Sequence, residues 1–235
     1  MKRHAVSILL WTVGSLFFIP VFFIVIFSIL FLPRKKTADI SRILARILIR
    51  LMGIRLKVSG QGGIQPHRRY LIMGNHQSLF DLFVIPAAIP VCFVGVEAAR
   101  HFSYPIFGYL IKKWGNIPIQ RKNLKQARES LRIAAKTIEA GMNIVILPEG
   151  GRTLTGEMKP FKKGPFHLAK AAGADILPYG VKGLYRYNKK GSYLLTPGEV
   201  VVTIGPPVSY EKIKDYSVEE LRELIFERIE KLSQS

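Results

Sequence analysis

The chain is poor in cysteine and in acid. Cys92 is the only cysteine in 235 residues, so no intrachain disulfide can form. It lies in the apolar run Val91-Cys92-Phe93-Val94, where it is expected mid-strand as a small hydrophobe. Sixteen Asp and Glu face 35 Lys and Arg, a formal net charge of +19. That imbalance selects a polyanionic partner: nucleic acid, an anionic membrane surface or a phosphorylated substrate. Residues 1–60 hold ten of the basic side chains and one acid, Asp39, whereas the last thirty residues are nearly balanced. Several signatures are also missing. Without G-x-S-x-G there is no nucleophile elbow. Without G-x-x-x-x-G-K-[ST] nucleotide hydrolysis is not expected. No helix-turn-helix, RNP or zinc-finger pattern supports nucleic acid as the partner. His4, His67, His76, His101 and His167 show no ligand spacing, so no metal site is expected. Internal repeats and low-complexity segments are absent.

What the chain does have is a long apolar run. Ala5 to Leu32 carries no formal charge over 28 residues. As a helix it would be about 42 Å long, against a hydrocarbon core of about 30 Å. It exceeds a signal-peptide core, and no small-x-small cleavage site follows, so a retained anchor is expected. Pro20 should kink or split it. Lys2 and Arg3 precede it, and Arg34, Lys35 and Lys36 follow, which suits a bent hairpin in one leaflet as well as a span. A second helix is expected over 37–52, capped by Thr37, with Arg42, Arg46 and Arg50 as a stripe for anionic headgroups. Residues 1–54 are thus read as membrane-associated helices.

Residues 55–235 read as one α/β domain. Strands are expected at 55–59, 70–73, 91–94, 116–119, 142–147, 176–181 and 199–204. Helices are expected at 81–89, 104–114, 124–140, 165–172 and 217–232. Asn123 with Gln126 and Ser217 with Glu220 mark two helix starts, and Gly141 and Gly173 suit helix ends. The alternation predicts a mixed, largely parallel sheet covered by helices.

Chemistry concentrates in Gly74-Asn75-His76-Gln77-Ser78-Leu79-Phe80-Asp81, between a strand and a helix. Imidazole titrates near neutral pH, and a carboxylate can fix its tautomer, so the pair can activate a hydroxyl. Ser78-x-x-Asp81 also fits a capping box, which would make Asp81 purely structural. Three more blocks stand at expected strand ends, where α/β folds place ligands. They are Gly115 to Arg121, Pro148-Glu149-Gly150-Gly151-Arg152, and the stretch around Pro178. Arg121 and Arg152 offer paired donors to a phosphate. Glu149 can bond an arginine or a substrate hydroxyl, and Gly150 permits close backbone approach. Lys159-Pro160-Phe161-Lys162-Lys163-Gly164 adds a basic loop that suits headgroups, an acidic acyl carrier or solvent.

In this order the blocks resemble the glycerolipid acyltransferase family over about residues 55–205. Asn75-His76-x4-Asp81 matches its first motif, Gly115 to Arg121 the second, Pro148-Glu149-Gly150-x-Arg152 the third, and Pro178, more weakly, the fourth. Gly151 departs from the family, which usually has Thr there. A short chain with an N-terminal anchor and no further domain is similar to the bacterial 1-acyl-glycerol-3-phosphate acyltransferases. The resemblance implies acyl transfer from a thioester to the sn-2 hydroxyl of 1-acyl-glycerol 3-phosphate, giving phosphatidic acid. It implies His76 as general base, Asp81 as its orienting partner, and direct transfer without a covalent intermediate. Asn75, Gly115, Arg121, Glu149, Gly150, Arg152 and Pro178 would bind substrate. No cofactor is implied, and the donor would be acyl-CoA or acyl carrier protein. Membrane lipids and an anionic surface would be the partners, with no nucleic acid, at the cytoplasmic face of an inner or plasma membrane. Alternatives are another acceptor, such as glycerol 3-phosphate or a lysophospholipid, or a membrane-bound thioesterase, which has no use for the arginines.

Overall fold

The computed structural model describes residues 2–60, 63–65, 67–120 and 123–235. Its centre is a seven-stranded sheet in the order β1-β7-β6-β2-β5-β3-β4. The strands are β1 (Ile54–Ser59), β2 (Tyr70–Gly74), β3 (Phe93–Ala98), β4 (Ile117–Ile119), β5 (Asn143–Ile146), β6 (Asp175–Lys182) and β7 (Gly198–Ile204). All pairs are parallel except β6 with β7. The mixed, largely parallel sheet is therefore as expected. Tyr70 to Gly74 are all buried, as a central strand covered on both faces requires.

Helices α1 (Lys2–Phe31), α2 (Arg34–Leu51) and α3 (Asp81–Ala88) lie on one face of the sheet. Helices α5 (Leu124–Glu139), α6 (Gly164–Ala171) and α9 (Val218–Gln234) build the core of the other. Helix α4 (Phe107–Trp114) flanks the β3–β4 end and meets α1; α7 (Leu184–Tyr187) and α8 (Tyr210–Ile213) are single turns. Asn123 accepts from Gln126 N at the start of α5, and Ser217 and Glu220 form a complete capping box on α9.

Several local readings change. Strand β3 begins at Phe93, so half-buried Cys92 precedes it and does not sit mid-strand. The 104–114 helix starts at Phe107, after a 3₁₀ turn at Ala99–Ser103. Pro20 lies inside one continuous helix and does not divide it. The hairpin is formed by α1 and α2 together. Thr37 does not cap α2; its hydroxyl donates to Ser28 O at 2.9 Å and ties the two helices. A side chain at Gly14 would run into the Met52 thioether, so glycine allows the far end of the pair to close. Arg42 and Arg46 differ from the expected headgroup stripe. Arg42 Nε donates to Ile89 O at 3.3 Å and Arg46 Nε to Ala87 O at 2.8 Å, at the C-terminal end of α3.

Candidate active site

Strand β2 hands the chain to the turn 75–80 at the C-terminal edge of the parallel strands. Gly74 is required there because the Tyr179 ring of β6 occupies the place of a side chain. Asn75 is 2% exposed and clamps β6: its Nδ2 donates to Val181 O at 2.8 Å, and its Oδ1 accepts from Val181 N at 2.7 Å. The turn is thereby fixed before His76 emerges.

Asp81 opens α3, and its Oδ2 gathers three groups. His76 Nδ1 lies at 2.7 Å, Gln77 N donates at 2.9 Å and Ser78 N at 3.0 Å. Only half of a capping box exists, because Ser78 Oγ does not accept from Asp81 N. The carboxylate therefore binds the turn and the imidazole with one oxygen. With Asp81 ionised, Nδ1–H is the donor and Nε2 keeps its lone pair. The His76 side chain is 20% exposed and that of Asp81 3%, so the ring reaches solvent while its partner does not.

Glu149 follows β5. Its Oε1 accepts from His76 N at 2.7 Å and its Oε2 from Lys159 N at 3.1 Å. Burial pushes the carboxyl above its ordinary value, against the pull of those two amides and the Lys159 charge. Gly150 adopts φ +69°, closing a turn through Gly150 N to Leu147 O at 3.0 Å. Thr153 N donates to His76 O at 2.9 Å, and Lys159 Nζ donates to Arg152 O at 3.0 Å. The Arg152 guanidinium makes no ion pair among the described residues.

Other expected site residues fare differently. Arg121 lies outside the described residues. Gly115 ends α4 at φ +95°, before β4 and beside Arg34, at the end of the sheet away from His76. Pro178 sits within β6 beside Met73, where it shapes the strand and offers no exposed contact. Among the described residues, no three His, Cys, Asp or Glu side chains cluster to hold a metal.

The acyltransferase family model matches residues 55–182, which contain this entire constellation. The chain belongs to the acyltransferase family. It is 31% identical over 182 residues to a 1-acyl-sn-glycerol-3-phosphate acyltransferase of Limnanthes douglasii, covering 75% of this chain and 64% of that one. The mouse alpha enzyme of the same name is 32% identical over 184 residues, covering 76% and 64%. The Borreliella burgdorferi protein of that name is 28% identical over 190 residues, covering 79% and 74%. The chain thus spans just under two thirds of the length of the plant and mouse relatives. The crystal structure of the LPA acyltransferase PlsC from Thermotoga maritima superposes with a TM-score of 0.85 at 21% identity, covering 99% of this chain and 95% of that one. The two share a fold.

Four residues of this family member's site make contacts that sequence reasoning did not assign to them. Gln77 Oε1 accepts from Leu184 N and Tyr185 N, both at 3.1 Å, and so holds α7 beside the turn. Thr153 and Lys159 brace the loop after β5. Tyr179 is fully buried, and burial, then the Asp81 and Glu149 carboxylates, hold its phenol well above its ordinary value. Gln77 and the Thr153 amide find their partners far away in sequence, and the partners of Lys159 lie within the same loop, so no local pattern marks these contacts. The Gln beside His76 was the one available signal.

Proposed function

We propose that this protein transfers an acyl chain from a thioester to the sn-2 hydroxyl of 1-acyl-glycerol 3-phosphate, yielding phosphatidic acid. The observation that carries the proposal is the His76–Asp81 pair, with Nδ1 held by the carboxylate and the imidazole partly exposed, in a chain of this family. In this reading Nε2 removes the acceptor hydroxyl proton. The oxygen attacks the thioester carbonyl, a C–O bond forms and the C–S bond breaks. The departing thiolate takes up the proton from the imidazolium, which Asp81 stabilises. No covalent intermediate and no cofactor are needed. Acyl-CoA or acyl carrier protein serves as donor. Arg152, with Arg121, receives the acceptor phosphate. Glu149 positions His76 through its backbone.

The site is joined to an apolar surface. Trp11 of α1 contacts Phe80, and Phe18 contacts Phe83, at ring separations of 5.7 and 6.2 Å. The opposite side of α1 exposes Leu9, Leu16, Phe23, Phe27 and Phe31. Leu79 and Leu82, exposed beside Asp81, offer a path for acyl chains. In this reading α1 rests on the cytoplasmic leaflet and holds the dyad where its lipid acceptor lies. The test offers purified protein labelled acyl-CoA or acyl carrier protein with lysophosphatidic acid, glycerol 3-phosphate or water alone. Labelled phosphatidic acid from the first acceptor is expected. Free fatty acid alone would overturn the assignment in favour of a thioesterase.

A further inference from the structure

The exposed face of α1 continues onto a segment far away in sequence. Ile26, Ile29 and Leu30 line a shallow cleft with Tyr109, Leu110 and Lys113 of α4. Just before α4, Tyr104 is 50% exposed and Ile106 59%, and Tyr109 is 46% exposed. Ile106 and Tyr109 are three residues apart, so they share one side of the helix start.

This surface is held firmly. His101, paired with Glu97 at 2.9 Å, packs its ring against Tyr104 at 5.7 Å and Phe107 at 6.2 Å. Gly108 N donates to Tyr104 O at 2.8 Å. A Cβ at Gly108 would strike the Phe102 carbonyl, so only glycine permits so tight a turn.

The rim is basic. Lys113 Nζ lies 5.7 Å from the Tyr109 ring centre. Arg34 lies over Trp114 at 5.3 Å and donates to its carbonyl at 2.9 Å, joining the α1–α2 turn to the end of α4. Lys35, Lys36 and Lys112 stand exposed alongside. An isoleucine between two tyrosines, bounded by lysines, has the chemistry of a leaflet boundary. Tyrosines favour the headgroup level, and lysines meet anionic lipid.

We propose that Tyr104–Tyr109 is a second membrane contact. Ile106 enters the acyl region of an anionic leaflet, both tyrosines stay at headgroup level, and Lys112 and Lys113 meet lipid phosphates. This rests on the reading of α1 as membrane-attached. The contact would bring the β3–β4 side of the site to the membrane, complementing α1 on the α3 side.

An environment-sensitive fluorophore tests it on the full chain in a Cys92→Ala background. It is placed at Ile106→Cys, at Phe27→Cys on α1, and at Glu223→Cys on α9. Vesicles of phosphatidylglycerol and phosphatidylethanolamine are added. Emission at 106 and 27 should shift to the blue and rise about twofold, with quenching by brominated lipid, while 223 stays unchanged. If 27 responds and 106 behaves like 223, the second contact is refuted and α1 stands alone. If neither responds, the membrane reading of α1 fails and takes this proposal with it. If 106 responds to protein concentration without vesicles, a second copy covers the face and the lipid assignment is wrong. Ile106→Glu should also weaken vesicle binding about tenfold. Its melting temperature in detergent should be unchanged, because the side chain is exposed.

Discussion

At the residue scale, the six positions from His76 to Asp81 divide the work between chemistry and support. His76→Ala should lower kcat about 10²- to 10⁴-fold with the fold retained. Asp81→Asn should lower kcat within the same range, about 10²- to 10⁴-fold. It should also cost about 1–3 kcal/mol of stability, because Oδ2 serves two backbone amides besides the imidazole. Normal turnover in folded His76→Ala would end the general-base assignment. Asn75 separates support from binding. Its amide is spent on Val181, so Asn75→Ala should cost about 1–3 kcal/mol in a denaturant titration and leave both KM values unchanged. Arg152 has no ion-pair partner among the described residues. Arg152→Ala should weaken use of the phosphorylated acceptor about 10- to 150-fold, and Arg152→Lys should rescue it only partly. Equal KM changes for acceptor and donor would refute a phosphate role. The dyad was legible because its two members are close in sequence and the turn brings them together. Asn75 and Glu149 were expected at the site as substrate binders, but their bracing contacts were not legible, because the partners, Val181 and His76, lie 106 and 73 positions away.

At the scale of elements, the apolar runs located all seven strands, but the expected edges slid where packing decided them. Strand β3 is displaced from 91–94 to 93–98 because its pairing with β5 starts at Phe93 and Asn143. The arginine stripe of α2 had the right spacing for headgroups, yet a sequence could not reveal that the end of α3 needed those donors. The loop after β5 is the element on which the site turns. Both oxygens of Glu149 bind backbone amides, one in each of two segments, so Glu149→Gln can serve only one of them with its remaining oxygen. That variant should lose about 1–3 kcal/mol and lower kcat without changing donor KM. The pH dependence has a definite sign. Folding raises this carboxyl above its unfolded value, so its contribution is fullest at pH below the ordinary carboxylate value and falls as pH rises through the raised one. Glu149→Gln lacks that step. The stability gap between wild type and variant should therefore narrow as pH climbs through that window, as read from urea midpoints. A gap that widens with pH would show that ionised Glu149 is the stabilising form.

At the scale of the molecule, both ends of α1 are fastened to the same domain. Near the N-terminus, Leu195 N donates to Ser7 Oγ at 2.9 Å, and Trp11 Nε1 donates to Tyr193 O at 2.7 Å. At the other end, Thr37 bonds Ser28 O, and Arg34 reaches Trp114 O. A helix of 30 residues is about 45 Å long, ample to cross a core of about 30 Å. Crossing would place those two fastenings on opposite sides of the bilayer, and the domain that carries both would have to cross with them. The charges agree with a flat placement, since Lys2 and Arg3 lie at one end and Arg34, Lys35 and Lys36 at the other. Continuity through Pro20 does not argue for a span, because a proline removes one hydrogen bond and membrane helices accommodate that loss. The helix is therefore expected to lie in one leaflet, its exposed side in hydrocarbon and its packed side on α3. Lys2→Cys and Lys36→Cys, made singly in Cys92→Ala, can be treated with an impermeant maleimide in sealed vesicles of known orientation. Both should label from the same side and at similar rates. Labelling from opposite sides would establish a spanning helix, and the fastenings at Ser7 and Arg34 could not then both persist in the membrane.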